Sequence, residues 1–352
     1  MLYISNEEIT ELLHQDLDGT VDTMEEMFAT METGDFALGG GGYSHGMRMH
    51  YPVEGEDNLF IAMPGYLGIP FNVTGVKWHG PNRRCEGAAT DSHFMMILND
   101  YKTGIPKACM PVGLTTLYRT AAMSILAAAQ LANPDAETIG IIGPGKINTL
   151  VAEGLLAKFP GISRIVVKGR GSDSTKKFVS AMERLNSNVT IEVVSSFEDA
   201  VRCADIVSIN TGFEFSGIAD MPIIRDSWIK PGAIFLCSAF VKFSDRLILE
   251  KAVNVCDLYD MYASYEQELG IPVYKHLSNL GNRYVDLIRD GKLKRETVFD
   301  MKEIVTGKVA ARKSKEDIIL FSSGGFATQD LAICEKLYRK AVKEGVGTEL
   351  PC

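Results

Sequence analysis

The sequence predicts an α/β protein: a Rossmann-type doubly wound parallel sheet joined to an α+β domain. Three observations predict it. From residue 138 onward, short apolar runs alternate with helical stretches, as βαβ crossovers do. The runs Thr138–Ile142, Arg164–Lys168 and Asp205–Ile209 are apolar on both faces, as strands covered by helices on both sides should be. Before residue 115, by contrast, strand-like runs follow one another without intervening helices, the pattern of an antiparallel sheet.

Taken in order, Ser5 is a good N-cap for a helix from Asn6 to Leu13, with Glu8 as its capping-box partner. Val21 to Met31 repeats apolar residues at helical spacing. Gly39-Gly40-Gly41-Gly42 must turn. Strands are expected at Ser44–Tyr51, Leu59–Tyr66, Phe71–Trp78 and His93–Asn99. An Ala-rich helix, Thr115 to Leu131, is ended by Asn133-Pro134. The alternation then runs strand 138–142, helix 146–159, strand 164–168, helix 173–185, strand 190–194, helix 197–203 and strand 205–209. Further strands are expected at Ala233–Cys237, Asn254–Asp257 and Ile318–Phe321, and a last helix at Thr328–Val342. This organisation suggests a domain of residues 1–115 rejoined by 318–352, with the Rossmann domain at 116–317.

The composition sets bounds. In 352 residues, 46% hydrophobic and 23% charged, there is enough apolar material for a large core, which argues against disorder. The net charge of −9 makes nucleic acid and anionic membranes poor partners, and neither is expected. Seven scattered Cys lack any C-x-x-C spacing and six His lack ligand spacing, so no metal or disulfide framework is expected. No basic, apolar leader and no 18-residue apolar run stand out, so a reduced, cytoplasmic protein is expected. Among the histidines, His79 and His93 could relay a proton.

The strongest local signal is Gly143-Pro144-Gly145-Lys146-Ile147-Asn148, which follows a strand and opens a helix. Gly143 permits the tight turn, and Gly145 lets a pyrophosphate approach the backbone at the helix N-terminus. The third glycine position holds Asn148, so the dinucleotide fingerprint is incomplete. The next strand ends Lys168-Gly169-Arg170-Gly171-Ser172, with Lys176 and Lys177 beyond and no carboxylate at the strand end. Guanidinium, ammonium and hydroxyl groups suit a 2′-phosphate, which favours NADP over NAD. The expected cofactor set is Gly143, Gly145, Lys146, Ile147, Lys168, Arg170 and Ser172, with Asn210, Thr211, Ser238 and Gly324 further along. A glycine turn without a ligand and a solvated basic loop are the bland alternatives.

Several segments point to one family. They are Gly75-Val76-Lys77-Trp78, Arg119-Thr120-Ala121-Ala122, the turn Asn99–Gly104, Phe321–Gly325 with Gln329-Asp330, and His45-Gly46-Met47-Arg48. Spread in the family's order along nearly the whole chain, from His45 to Asp330, they resemble the motifs of the ornithine cyclodeaminase and mu-crystallin family. The resemblance implies an α+β domain that binds substrate and forms a homodimer, around a Rossmann domain. It also implies a small amino or imino acid substrate and a nicotinamide cofactor.

The residues make chemical sense beside it. Arg48 and Arg119 offer planar forks for a carboxylate. Lys77, on a strand next to Trp78, could bind that carboxylate or move a proton. Surface salt bridges are the ordinary alternative for each. Lys77 and Arg119 are the catalytic candidates, and Arg48 joins them for substrate binding. Arg83 and Arg84 could meet a second acidic group.

One departure matters. The family's cyclodeaminases carry an aspartate in the loop after the Ala233–Cys237 strand. Here Ser238-Ala239-Phe240-Val241-Lys242-Phe243-Ser244 has no carboxylate before Asp245. The expectation is therefore an NADP-dependent oxidoreductase that interconverts an amino acid and its 2-imino or 2-oxo acid. Ornithine cyclodeaminase and a non-catalytic ligand-binding protein are the alternatives.

Overall fold

The computed structural model describes residues 1–14, 16–39, 46–53, 56–80, 93–211 and 221–351. Gly40–Gly42, His45, Arg83 and Arg84 lie outside the described residues. The chain forms two compact units, residues 1–119 with 325–352, and residues 120–324.

In the first unit, Ser5 and Glu8 close the expected capping box at 3.2 and 2.7 Å, starting α1 at Asn6–Leu13. Asp16 caps α2 (Leu17–Glu32) by accepting from the Gly19 amide at 2.8 Å, so that helix begins before Val21. The strands are β1 (Leu2–Tyr3), β2 (Phe36–Leu38), β3 (Met47–Val53), β4 (Glu56–Leu67), β5 (Val73–His79), β6 (Met95–Asp100) and β7 (Pro106–Pro111). Sheet order is Thr348–Glu349, β1, β7, β6, β5, β4, β2, with β3 also on β4. β1, β2 and β7 were not expected. The first two are short, and β7 has a proline at each end, so none shows a clear alternation.

Leu67, Val73, Met96, Leu98 and Met110 form the sheet's buried face, covered by α2 and the helix Ala327–Glu344. Gly75 allows that close approach. A Cβ there would overlap the Ile97 carbonyl oxygen and stand 3.1 Å from the Leu331 side chain.

The second unit holds β8 (Thr138–Ile142), β9 (Arg164–Lys168), β10 (Thr190–Val193), β11 (Ile206–Ile209), β12 (Ile234–Cys237), β13 (Ala252–Cys256), β14 (Val298–Asp300) and β15 (Ile318–Ser322). They form one parallel sheet, ordered β10-β9-β8-β11-β12-β15-β13-β14. The order reverses between β8 and β11, the switch point of a doubly wound sheet.

The expected boundary at residue 318 is corrected by β15. This strand pairs with both β12 and β13, and Ile319, Leu320 and Phe321 are fully buried in the second unit's sheet. The crossings therefore fall after Arg119, inside α3 (Gly113–Leu131), and after Gly324. Helices Tyr259–Leu269 and Leu280–Arg289 add layers that periodicity did not predict. No helix among the described residues is long and apolar enough to cross a membrane.

Candidate functional site

Alternation along β5 turns Trp78 outward and Lys77 into the buried face, where Lys77 is 1% exposed. The Lys77 Nζ donates to Thr116 Oγ1 at 2.8 Å and to Asp330 Oδ1 at 2.9 Å. Arg119, on α3, places its Nε 3.5 Å from the same Asp330 oxygen and donates from Nη1 to Gln329 Oε1 at 3.1 Å. Gly325 leaves room for this guanidinium: a Cβ there would stand 2.5 Å from Nη1. Two cations thus share one carboxylate oxygen, and the cluster keeps an excess positive charge.

Burial pushes the Lys77 ammonium down to about 8, while Asp330 opposes the shift and Arg119 adds to it. For Asp330, burial alone would raise the carboxyl. Lys77, then Arg119, hold it below the ordinary carboxylate range. His79, two residues along the same face, stacks on Phe94 with ring centroids 3.9 Å apart. Burial, then the Lys77 charge, push this imidazole down to about 4, so it is neutral at physiological pH. Lys77 Nζ lies 5.0 Å from the centre of the same Phe94 ring.

Arg48 reaches this face through register. It pairs with Ile61 on β4, and Ile61 pairs with His79 on β5. Directly paired residues share a face, so half-buried Arg48 lies on the Lys77 side of the sheet. The structure therefore brings Lys77 and Arg119 onto one carboxylate, with Arg48 two strands away.

Asp330, Gln329 and Thr116 were missed as site residues. Asp330 carries a readable signal: a carboxylate within the stripe 330, 334, 337 and 341, all buried and otherwise apolar.

In the second unit, the expected cofactor residues gather at the carboxyl ends of strands. Gly143, Gly145, Lys146 and Ile147 follow β8, while Asn210 and Thr211 follow β11. Ser238 follows β12, and Gly324 lies just past β15. Gly143 has φ +87, and a Cβ on it would overlap the Asn210 carbonyl oxygen, so the turn rests against the end of β11. A Cβ at Gly145 would meet nothing within 4 Å, and this N-cap of α4 (Lys146–Lys158) has no side-chain cap. That open helix start fits a pyrophosphate.

Asn148 explains the missing third glycine. Its amide donates to the carbonyls of Ile142, Gly143 and Ser208 at 3.1, 2.9 and 3.4 Å, and its Oδ1 accepts from Ser208 Oγ at 2.7 Å. The side chain stitches the turn to β11.

Past β9, an open depression is lined by Arg170, Ser172, Thr175, Lys176 and their neighbours at the start of α5 (Ser172–Leu185). Lys168 is not part of that lining. Its Nζ donates to the Gly169 carbonyl at 2.7 Å and lies 5.6 Å from the Phe197 ring centre.

The loop after β12 is apolar where it is buried, at Ala239, Val241 and Phe243. Ser238 Oγ lies 3.2 Å from Ser124 Oγ. Asp245 is gripped by Arg283, with contacts of 2.6 to 3.0 Å.

The model of the ornithine cyclodeaminase/mu-crystallin family matches residues 4–345. The chain is 27% identical over 296 residues to the N-((2S)-2-amino-2-carboxyethyl)-L-glutamate dehydrogenase of Staphylococcus aureus, covering 82% of this chain and 81% of that one. It is 27% identical over 249 residues to the Δ1-pyrroline-2-carboxylate reductase of Paracoccus denitrificans, covering 69% and 72%. An archaeal alanine dehydrogenase dimer with bound NAD superposes with a TM-score of 0.77 at 25% identity, covering 100% of this chain and 99% of that one. The chain belongs to the ornithine cyclodeaminase/mu-crystallin family.

Proposed function

We propose that this chain is an NAD(P)-dependent oxidoreductase that interconverts an amino acid and its 2-imino or 2-oxo acid, with NADP as the preferred cofactor. The observation that carries the reading is the buried Lys77–Asp330–Arg119 cluster, whose excess positive charge suits one carboxylate. The related dehydrogenase and reductase act on acids of this class by name. The glycine turn and its open helix start hold the pyrophosphate, and Arg170, Ser172 and Lys176 receive the 2′-phosphate. A nicotinamide cofactor, when bound, supplies or accepts the hydride. Arg119 and Arg48 bind and orient the acid's carboxylate. Lys77, titrating near 8, holds or gives up a proton at physiological pH.

Cyclodeaminase activity is disfavoured by the loop after β12. It has no carboxylate before Asp245, and Arg283 occupies that one. The proposed enzyme is a homodimer. The outer face of the first unit's sheet exposes Met47 (71%), Met49 (47%), Trp78 (41%) and Ile97 (39%), a patch suited to a second copy. Light scattering should give about twice 38.6 kDa, and a monomer at micromolar concentration contradicts the dimer.

An NADPH-oxidation screen over preformed cyclic imines, and over 2-oxo acids with ammonia, tests the reaction. Turnover with at least one acid is expected. Ammonia released from ornithine without net NADPH change would restore the lyase.

A further inference from the structure

We infer that Asp330 is a positioning residue: it keeps the buried Lys77 ammonium charged and aimed, and acts on the acid only through Lys77. The kinetic part of this inference rests on the reaction proposed above. Asp330 is fully buried in an apolar stripe of the helix Ala327–Glu344. Its Oδ1 accepts from Lys77 Nζ at 2.9 Å and from Thr116 Oγ1 at 3.4 Å, with Arg119 Nε at 3.5 Å. Its buried Oδ2 accepts no hydrogen bond among the described residues. A buried carboxylate left half-satisfied is a poor device for stability, because apolar residues of similar size usually do as well. Its own charge would also repel a substrate carboxylate, so direct binding is not its task.

The groups around Lys77 show what the task is. A lysine buried without a partner sheds its proton, with the pKa falling by several units. From α3, Arg119 pushes the same way. From β5, His79 is neutral at physiological pH. From the C-terminal helix, Cys334 is a thiol that burial pushes up, so it stays uncharged. Thr116 supplies only a hydroxyl oxygen. Among the described residues, Asp330 is the full negative charge facing this ammonium. Gly75 makes the pairing possible, since it admits the helix that carries Asp330 close against β5.

The test reads Lys77 directly and then the reaction. In protein carrying 13Cε-lysine, the resonance lost in Lys77→Met is followed by NMR against pH. The wild type should titrate near 8, and Asp330→Asn should titrate at least about one pH unit lower, a ten-fold change in the protonation constant. Asp330→Glu should move the titration back toward the wild type.

In kinetics, the alkaline limb of kcat/KM should move to lower pH by the same amount in Asp330→Asn, with activity largely recovered at pH 6. The KM for the acid should rise more than kcat falls. Lys77→Met and Lys77→Met/Asp330→Asn should have nearly the same kcat/KM: the remaining partner of Asp330, Arg119, sits farther off at 3.5 Å and keeps its hydrogen bond to Gln329 in both variants. That pair buries no unpaired cation at position 77, so it serves if Asp330→Asn alone does not fold.

An unchanged Lys77 titration in Asp330→Asn overturns the inference, as does a further loss in the double variant. A wild type that reduces no acid overturns the proposed reaction instead, and the NMR titration still judges Asp330.

Discussion

The cation cluster of the first unit and the glycine turn of the second are built from opposite materials. The cluster uses side-chain charges from three elements, buried and already paired to a carboxylate. The turn uses backbone within six residues, open at the helix start, and Asn148 braces it from behind. The difference teaches where each is vulnerable. Removing the carboxylate would leave two uncompensated cations in a dry site, and removing a cation takes away the excess positive charge, whereas the turn depends on shape and tolerates change on its solvent side.

The largest effect is expected from removing one cation. Lys77→Met and Arg119→Leu should each lower kcat/KM by about two orders of magnitude or more, because a misplacement of about 1 Å can cost about 10²-fold. NADPH affinity, measured by fluorescence titration, should stay within about two-fold of the wild type. An equal loss of NADPH affinity would mean that the two regions do not act separately.

A smaller effect is expected from the open depression. The wild type should prefer NADPH over NADH by about ten-fold, or about 1.4 kcal/mol, and Arg170→Asp should erase or invert the preference. Equal affinities in the wild type would remove the argument from the basic loop.

The brace is tested by stability and not by catalysis or binding. Asn148→Gly completes the glycine pattern but removes the one NH2 group shared among three carbonyls and leaves the Ser208 hydroxyl without its acceptor. It should cost about 1–3 kcal/mol, read as a drop of several degrees in melting temperature. A more stable variant would show that Asn148 merely fills the place of a glycine.

The same contrast explains what could be read from the sequence. The turn was legible because its residues are contiguous and its flanking strand and helix announce themselves by periodicity. The strand Thr138–Ile142 and the helix starting at Lys146 stand where the sequence predicts them. The cluster was only half legible. Lys77 and Arg119 stood out beside the motifs that carry the family resemblance, but Lys77 meets Asp330 across 253 residues, and no local pattern encodes such a pairing. Strand β15 was legible as a strand but not as a member of the second unit, because its neighbours, β12 and β13, lie more than 60 residues back. Asn148 looked like a defect in a pattern until Ser208, 60 residues on, appeared as its partner.

The proposed reaction is net hydride transfer between a nicotinamide cofactor and the α-carbon of a small acid. Its most direct test uses NADPH deuterated at C4 in both positions, with mass spectrometry of the amino acid formed. One deuterium at the α-carbon of each product molecule and one NADPH consumed per product are expected. A product without deuterium, formed with release of ammonia and no net cofactor consumption, would contradict it.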